Sequence, residues 1–271
     1  MQPERGGWNG PCKRFALVCG VLLWCFAGFA SAQGFDHAHR AWDALVKKHV
    51  VVIDGGKASR VAYAGMAAER AALRRYLDSL SAVRQSDFDS WASSQQMAFL
   101  INAYNAFTVE KILTRYPNIG SIWDFGKLFG NPFKDPFFVL LEGKRSLDWI
   151  EHDQLRRRYR EPRIHYAVNC ASIGCPMLRE EAYVAPRLEA QLEAQAGRFI
   201  SDRTRNRMRA GRLEVSRIYE WFKEDFEPRA QYFARYAELL ADHPNERRAI
   251  AEGKAPLRFL DYDWSLNDAG P

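Results

Sequence analysis

The stretch SQQMAFLINAYNAFTVEKIL, residues 94–113, is apolar on nearly every side, and it constrains the fold more than any other part of the chain. The pattern predicts a helix from about residue 91 to residue 116, ended by Pro117. A helix that is apolar all round has to be surrounded by other elements. Asn102 and Asn105 lie three positions apart, and therefore on one face of this buried helix. Two alternatives stay open: the two amides bind neighbouring backbone, or they line a site.

The N-terminus has the pattern of a secretory signal. Three basic residues precede an uncharged apolar run over residues 15–30, and Ala30-Ser31-Ala32 then forms a small-x-small cleavage site. The run is shorter than the roughly 20 residues of a membrane-spanning helix, which argues against an anchor. We therefore expect residues 1–32 to be a signal peptide and the mature protein to be periplasmic or secreted, without a membrane anchor. Only Cys170 and Cys175 then remain of the five cysteines.

Charge and composition narrow the classes of partner. Removing the signal's three basic residues and one acidic residue lowers the formal net charge from +6 to about +4. The densest basic run, residues 156–163, is typical of a solvated helix end, so we expect no nucleic-acid partner. With 47% hydrophobic residues, the mature chain of about 240 residues is long enough to bury one large core. We expect no cofactor.

The order of patterns predicts an α+β fold, a mainly helical single domain with a small, mostly antiparallel sheet. Helices predicted over residues 36–49 and 66–82 form an N-terminal helical layer, residues 33–85. The main domain covers residues 86–268, and residues 269–271 are a tail. Strands are predicted in a hairpin over residues 137–147 with its turn at 142–144, and over the segments 164–170, 213–216 and 257–268.

The twelve residues HYAVNCASIGCP, 165–176, hold a histidine and both remaining cysteines. In a straight strand, alternation puts His165 and Asn169 on one face and Cys170 on the other, because the side-chain period is two. His165 and Cys170 can therefore meet only if the backbone breaks or bulges between them. The small residues 171–174 make a turn after Cys170 reasonable.

Four separated motifs resemble a known family, the one catalogued as domain of unknown function 547. They are NAYNAF at residues 102–107, SLDWIEH at 146–152, HYAVNCASIGCPML at 165–178 and YDWSLN at 262–267. In that family a histidine, an aromatic residue, an alanine and two variable positions precede a cysteine, a pattern that falls on His165 and Cys170. The second cysteine is typical of many bacterial members, which implies that this chain is an exported bacterial member. The resemblance implies a fold and the location of a site, but no settled reaction.

The first functional hypothesis is a cysteine-dependent hydrolase or acyltransferase acting on an amide, ester or thioester. Cys170 would be the nucleophile and His165 its base, since a nearby imidazole favours the reactive thiolate. Glu151, or one of the two asparagines of the central helix, would orient the histidine or a small-molecule or peptide-like substrate. The residues assigned to substrate binding are Asn102, Asn105, Asn169 and Ser172.

The second hypothesis is a binding or scaffold protein without enzymatic activity, in which a Cys170–Cys175 disulfide closes a small loop. An oxidising compartment favours that bond. The third hypothesis is a thiol-disulfide redox protein, although the spacing is not that of a C-x-x-C motif. These two cysteines, His152 and His165 are residue types that bind zinc, but their spacing matches no recognised zinc motif, and we assign no metal.

Overall fold

The computed structural model describes residues 34–126 and 130–270, together with residues 1–4, 6, 7 and 10. Residues Phe35–Pro271 form one compact unit. From residue 35 onward, this unit contains both the predicted N-terminal layer and the predicted main domain. The apolar run and cleavage site of the predicted signal peptide lie outside the described residues. None of the described helices has both the length and the apolar character to cross a membrane.

The N-terminal elements are α1 and a hairpin followed by three helices, and they cover the central helix from one side. Buried residues of α1 are Trp42, Leu45, Val46 and His49, at the three- and four-residue spacings of an amphipathic helix. The hairpin turns through Asp54, Gly55 and Gly56, all with positive φ. The elements are α1 Arg40–His49, β1 Val50–Ile53, β2 Ala58–Val61, α2 Tyr63–Ala68, α3 Arg70–Ser81 and α4 Gln85–Ser90.

The central helix, α5, runs over Ser93–Leu113, close to the predicted bounds. Every residue from Met97 to Val109 is buried, which confirms that other elements surround this helix. Its neighbours include α3 and the helix that carries the SLDWIEH motif. Most of the large hydrophobic core of the unit is built around α5.

A second hairpin leads into the SLDWIEH motif. Strands β3 Phe138–Leu140 and β4 Gly143–Arg145 pair antiparallel, and the turn is at Leu141 and Glu142, both with positive φ, one residue earlier than predicted. Ser146 caps the helical segment that begins at residue 147, because its hydroxyl accepts a hydrogen bond from the Trp149 N–H at 3.1 Å. That helix, Trp149–Arg156, has π rather than α geometry.

The predicted strand over residues 164–170 is wrong. The segment forms a short helix, α6 Ile164–Ala167, and becomes extended only at Val168. All four residues of α6 are buried, so no alternation between a buried and an exposed face distinguishes strand from helix in this short apolar run. His165 and Cys170 therefore do not lie on opposite faces of a strand.

The C-terminal half packs short helices around a second hydrophobic cluster that includes Tyr166. Strand β6 pairs antiparallel with β5 and parallel with β7. The described strands thus form three small sheets rather than one, with mostly antiparallel pairing, and the mainly helical α+β class is confirmed. The elements are α7 Leu188–Ile200, β5 Arg207–Arg209, β6 Arg212–Val215, α8 Ile218–Trp221, a 3-10 turn Lys223–Phe226, α9 Arg229–Arg235, α10 Ala237–Leu240, α11 Pro244–Ala251 and β7 Leu257–Phe259.

Candidate functional site

A disulfide joins Cys170 and Cys175 and closes the loop between them, with 6.2 Å between their Cα atoms. Cys175 is buried and Cys170 is half-buried. Ala171 lies in the left-handed region at φ 62°, which turns the chain immediately after Cys170. The Cys175 N–H donates to the Ser172 carbonyl at 3.2 Å, so the loop also has its own backbone hydrogen bond.

Three buried asparagines hold this loop in place. Asn105 of α5 donates to the Ala167 carbonyl at 2.9 Å and accepts from the Asn169 N–H at 2.8 Å. The Asn169 amide in turn donates to the Pro176 carbonyl at 2.8 Å, and its oxygen accepts from the Ala171 N–H at 2.9 Å and from Asn267 at 3.3 Å. The amides therefore connect the central helix, the cysteine loop and the C-terminal motif.

The C-terminal YDWSLN motif lies directly on the loop. The N–H groups of Ile173 and Gly174 donate to the carbonyls of Ser265 and Asp263, both at 2.8 Å. A side chain at Gly174 would meet Tyr262 and the Asp263 backbone at 2.9–3.0 Å, so this approach requires glycine. The Tyr262 hydroxyl lies 3.2 Å from the Cys175 sulfur, and burial raises the pKa of this phenol.

His165 is fixed by a carboxylate that the sequence did not indicate. Its Nε2 lies 2.6 Å from Oδ2 of Asp225, which also forms an ion pair with Arg156. Burial would raise the pKa of Asp225, but hydrogen bonds from His165 and Arg156 outweigh it and lower this pKa to about 2. The imidazole stacks on Phe222 at a centroid distance of 4.0 Å. Asp225 was missed because it lies sixty residues beyond His165, in a segment whose pattern indicates only a short aromatic helix.

Glu151 lies on the other side of the imidazole. Its Oε1 is 3.6 Å from Nδ1 of His165, too far for a hydrogen bond, and this buried Nδ1 has no hydrogen-bond partner. The Glu151 side chain is only 12% exposed. The hydroxyl of Tyr104 stays protonated here, since burial and then the negative charge of Glu151 raise its pKa well above the usual range.

These groups line one cavity of about 530 Å³, into which His165, Glu151 and Cys170 all face. An aromatic rim lies at its mouth, where Trp264 is 5.4 Å from Trp123 and 5.6 Å from Trp221 between ring centroids. Trp123 and Trp221 are 40% and 43% exposed. None of these tryptophans is among the predicted site residues; Trp221 and Trp264 cluster with other aromatic residues in residues 218–226 and 262–267, and Trp123 lies outside both ranges.

The structure divides the predicted site residues into two groups. His165, Cys170 and Glu151 line the cavity, although no hydrogen bond joins His165 to Cys170. The side chains of Asn102 and Asn105 bind backbone, and Asn102 is bound to both the backbone N–H and the backbone carbonyl of Tyr183, which is the first of the two alternatives above. Asn169 and Ser172 are buried in the loop behind the disulfide.

Within the described residues, no group of three or more histidine, cysteine, aspartate or glutamate side chains is arranged to hold a metal ion.

Comparison with known families supports the motif assignment. Residues 88–200 match the model of the family described as "Protein of unknown function, DUF547". The matched range contains three of the four motifs and all of the residues from Glu151 to Cys175. No curated protein and no solved structure matches the chain.

Proposed function

We propose that this chain, which belongs to the DUF547 family through residues 88–200, is a binding protein whose cavity takes a small-molecule or peptide-like ligand. The observation that carries the proposal is the bond between Cys170 and Cys175 in the cavity wall. A sulfur held in a disulfide has no thiolate with which to attack a substrate. In this state the pair supports the wall instead of supplying a nucleophile.

The polar groups behind the disulfide agree with a structural role for the loop. The side chains of Asn105 and Asn169 make hydrogen bonds within the protein, mostly to backbone. A buried and fully hydrogen-bonded network stabilises one loop conformation, and a rigid wall lowers the entropy lost on binding. The cavity volume is within the range of known small-molecule sites.

The decisive experiment combines a thiol-reactive reagent with a binding measurement on protein purified without reductant. We expect no labelling of Cys170 or Cys175, and we expect ligands to change the fluorescence of the tryptophans at the cavity mouth. The disulfide-free variant Cys170→Ser/Cys175→Ser should still bind ligands, with affinity reduced by greater loop mobility. Turnover of a substrate that depends on Cys170 would contradict the proposal.

The second candidate function is a cysteine-dependent hydrolase or acyltransferase in the reduced protein. It is favoured by the shared cavity of Cys170 and His165, and by Asp225, which orients the imidazole as the third member of a catalytic triad does. Its test is a screen of reduced wild type against Cys170→Ala over amide, ester and thioester libraries. Turnover in the wild type alone would establish this function.

We also propose that the protein is exported and that its signal peptide is removed. It rests on the apolar run over residues 15–30 with its cleavage pattern, and on the disulfide, which persists in oxidising compartments. N-terminal sequencing of the mature protein should give Gln33 as the first residue. A mature protein that retains residues 15–30 would contradict cleavage.

A further inference from the structure

The carboxylate of Glu151 is largely buried in the cavity wall without a cationic partner. Among the described residues it forms no ion pair with a lysine or an arginine, and its nearest titratable nitrogen is Nδ1 of His165 at 3.6 Å. An ionised carboxylate removed from water is unfavourable unless a positive charge or hydrogen-bond donors compensate it. The hydroxyl of Tyr104 lies beside this carboxylate, but the described part of the wall supplies no lysine or arginine to it.

His165 lies beside the same carboxylate. Its Nε2 forms a hydrogen bond with Oδ2 of Asp225 at 2.6 Å, and its buried Nδ1, 3.6 Å from Oε1 of Glu151, has no hydrogen-bond partner. The imidazole side chain is only 1% exposed, whereas that of Glu151 is 12% exposed. The carboxylate of Glu151 is therefore the acceptor that a ligand in the cavity reaches.

The aromatic rim also favours a positively charged ligand. Trp123, Trp221 and Trp264 line the mouth, and the faces of aromatic rings attract cations. Among the described lining residues the charged side chains other than histidines are Asp148 and Glu151, both acidic. An anionic ligand would meet these carboxylates without a compensating lysine or arginine from the described wall.

We propose that the cavity recognises a protonated primary amine on an apolar or aromatic body, with its ammonium group against the carboxylate of Glu151. This inference rests on the proposed binding function and names its ligand class. The ammonium N–H groups donate to the carboxylate, and the body of the ligand packs against the tryptophans. The cavity has room for that body in addition to the ammonium group.

The test is calorimetric titration of the intact protein with four compounds that share a benzyl or phenyl body. They are benzylammonium, benzyltrimethylammonium, benzyl alcohol and benzoate. Such small ligands bind with a Kd on the order of 1 mM, so each is titrated at concentrations well above that. We expect benzylammonium to bind best. Benzyltrimethylammonium, which keeps the charge but has no N–H, should bind roughly tenfold more weakly, and benzoate should not bind.

Two matched variants locate the ammonium group. Glu151→Gln keeps the shape of the side chain and removes its charge, and should weaken benzylammonium binding roughly tenfold or more while leaving benzyl alcohol within about twofold. Asp153→Asn removes the same charge from an exposed position of the same helix, outside the cavity lining, and should change neither affinity. If Glu151→Gln does not fold, the ranking of the four compounds on the wild type decides alone.

The possible outcomes distinguish the amine assignment from the binding function on which it rests. Binding of benzyl alcohol or benzoate that equals or exceeds that of benzylammonium would overturn the amine assignment and leave the binding function standing. Equal loss of benzylammonium affinity in Glu151→Gln and Asp153→Asn would reject the location at Glu151. If none of the four compounds binds, the proposed binding function fails and the inference fails with it.

Discussion

Replacing Asn169 by alanine tests whether the hydrogen-bond network holds the cysteine loop. The side chain is buried and makes three hydrogen bonds, to Ala171, Pro176 and Asn267. Asn169→Ala removes all three and leaves an N–H, a carbonyl and an amide group buried without their partners. The backbone hydrogen bond from Asn169 to Asn105 remains in the variant, because only the side chain changes.

The expected loss follows from those three groups. Each buried polar group left without a partner costs about 1–3 kcal/mol, and water entering the vacated space recovers part of that cost. We therefore expect the free energy of unfolding to fall by roughly 3–5 kcal/mol. The free energy of unfolding of an ordinary domain is about 5–15 kcal/mol, so this loss would be a large share of it.

Urea unfolding of the oxidised protein, followed by tryptophan fluorescence, measures this loss. With a slope of about 2–3 kcal/mol per molar urea, the unfolding midpoint should fall by roughly 1–2 M. Asn118→Ala is the control, because that asparagine is exposed, and its effect should stay within about 0.5 kcal/mol. A loss below about 1 kcal/mol in Asn169→Ala would refute the reasoning, since it would mean that the network contributes little to holding the loop.

Three further changes test other parts of the site. Reducing the disulfide, or replacing Cys175 by alanine, should lower the free energy of unfolding by about 2 kcal/mol, as urea unfolding with and without reductant would show; equal midpoints would contradict this. Gly174→Ala should destabilise by about 1–3 kcal/mol, because its Cβ would press on Tyr262 and the backbone of Asp263, and an unchanged midpoint would argue against that close approach. The folded-state pKa of Asp225 is lowered to about 2, below that of an ordinary aspartate. The ionised carboxylate therefore contributes about 1–2 kcal/mol to the free energy of unfolding, after allowance for solvent screening. This contribution is present above pH 4 and is lost as the pH falls towards 2. The stability difference between wild type and Asp225→Asn should therefore shrink between pH 5 and pH 2.5, and a constant difference would contradict the assigned pKa.

Local patterns predicted the elements whose formation depends on nearby residues. The central helix is apolar over more than four turns, and its predicted and observed bounds nearly coincide. The cap at Ser146 needs only a hydroxyl three residues before an N–H. The strand prediction for residues 164–170 failed because residues 164–169 are all buried, and a buried run of that length has no periodicity by which to assign it.

Apolar spacing and motif order, which are properties of neighbouring residues, predicted the class of fold, the resemblance to a family and the segment that carries the candidate site. The surroundings of His165, in contrast, depend on long-range packing. Asp225, Glu151 and the tryptophans of the rim come from four separate segments, and their convergence depends on how the helices pack. Whether an acidic side chain pairs with a cation or faces a cavity depends on distances between residues far apart in the chain, and no local pattern encodes these distances.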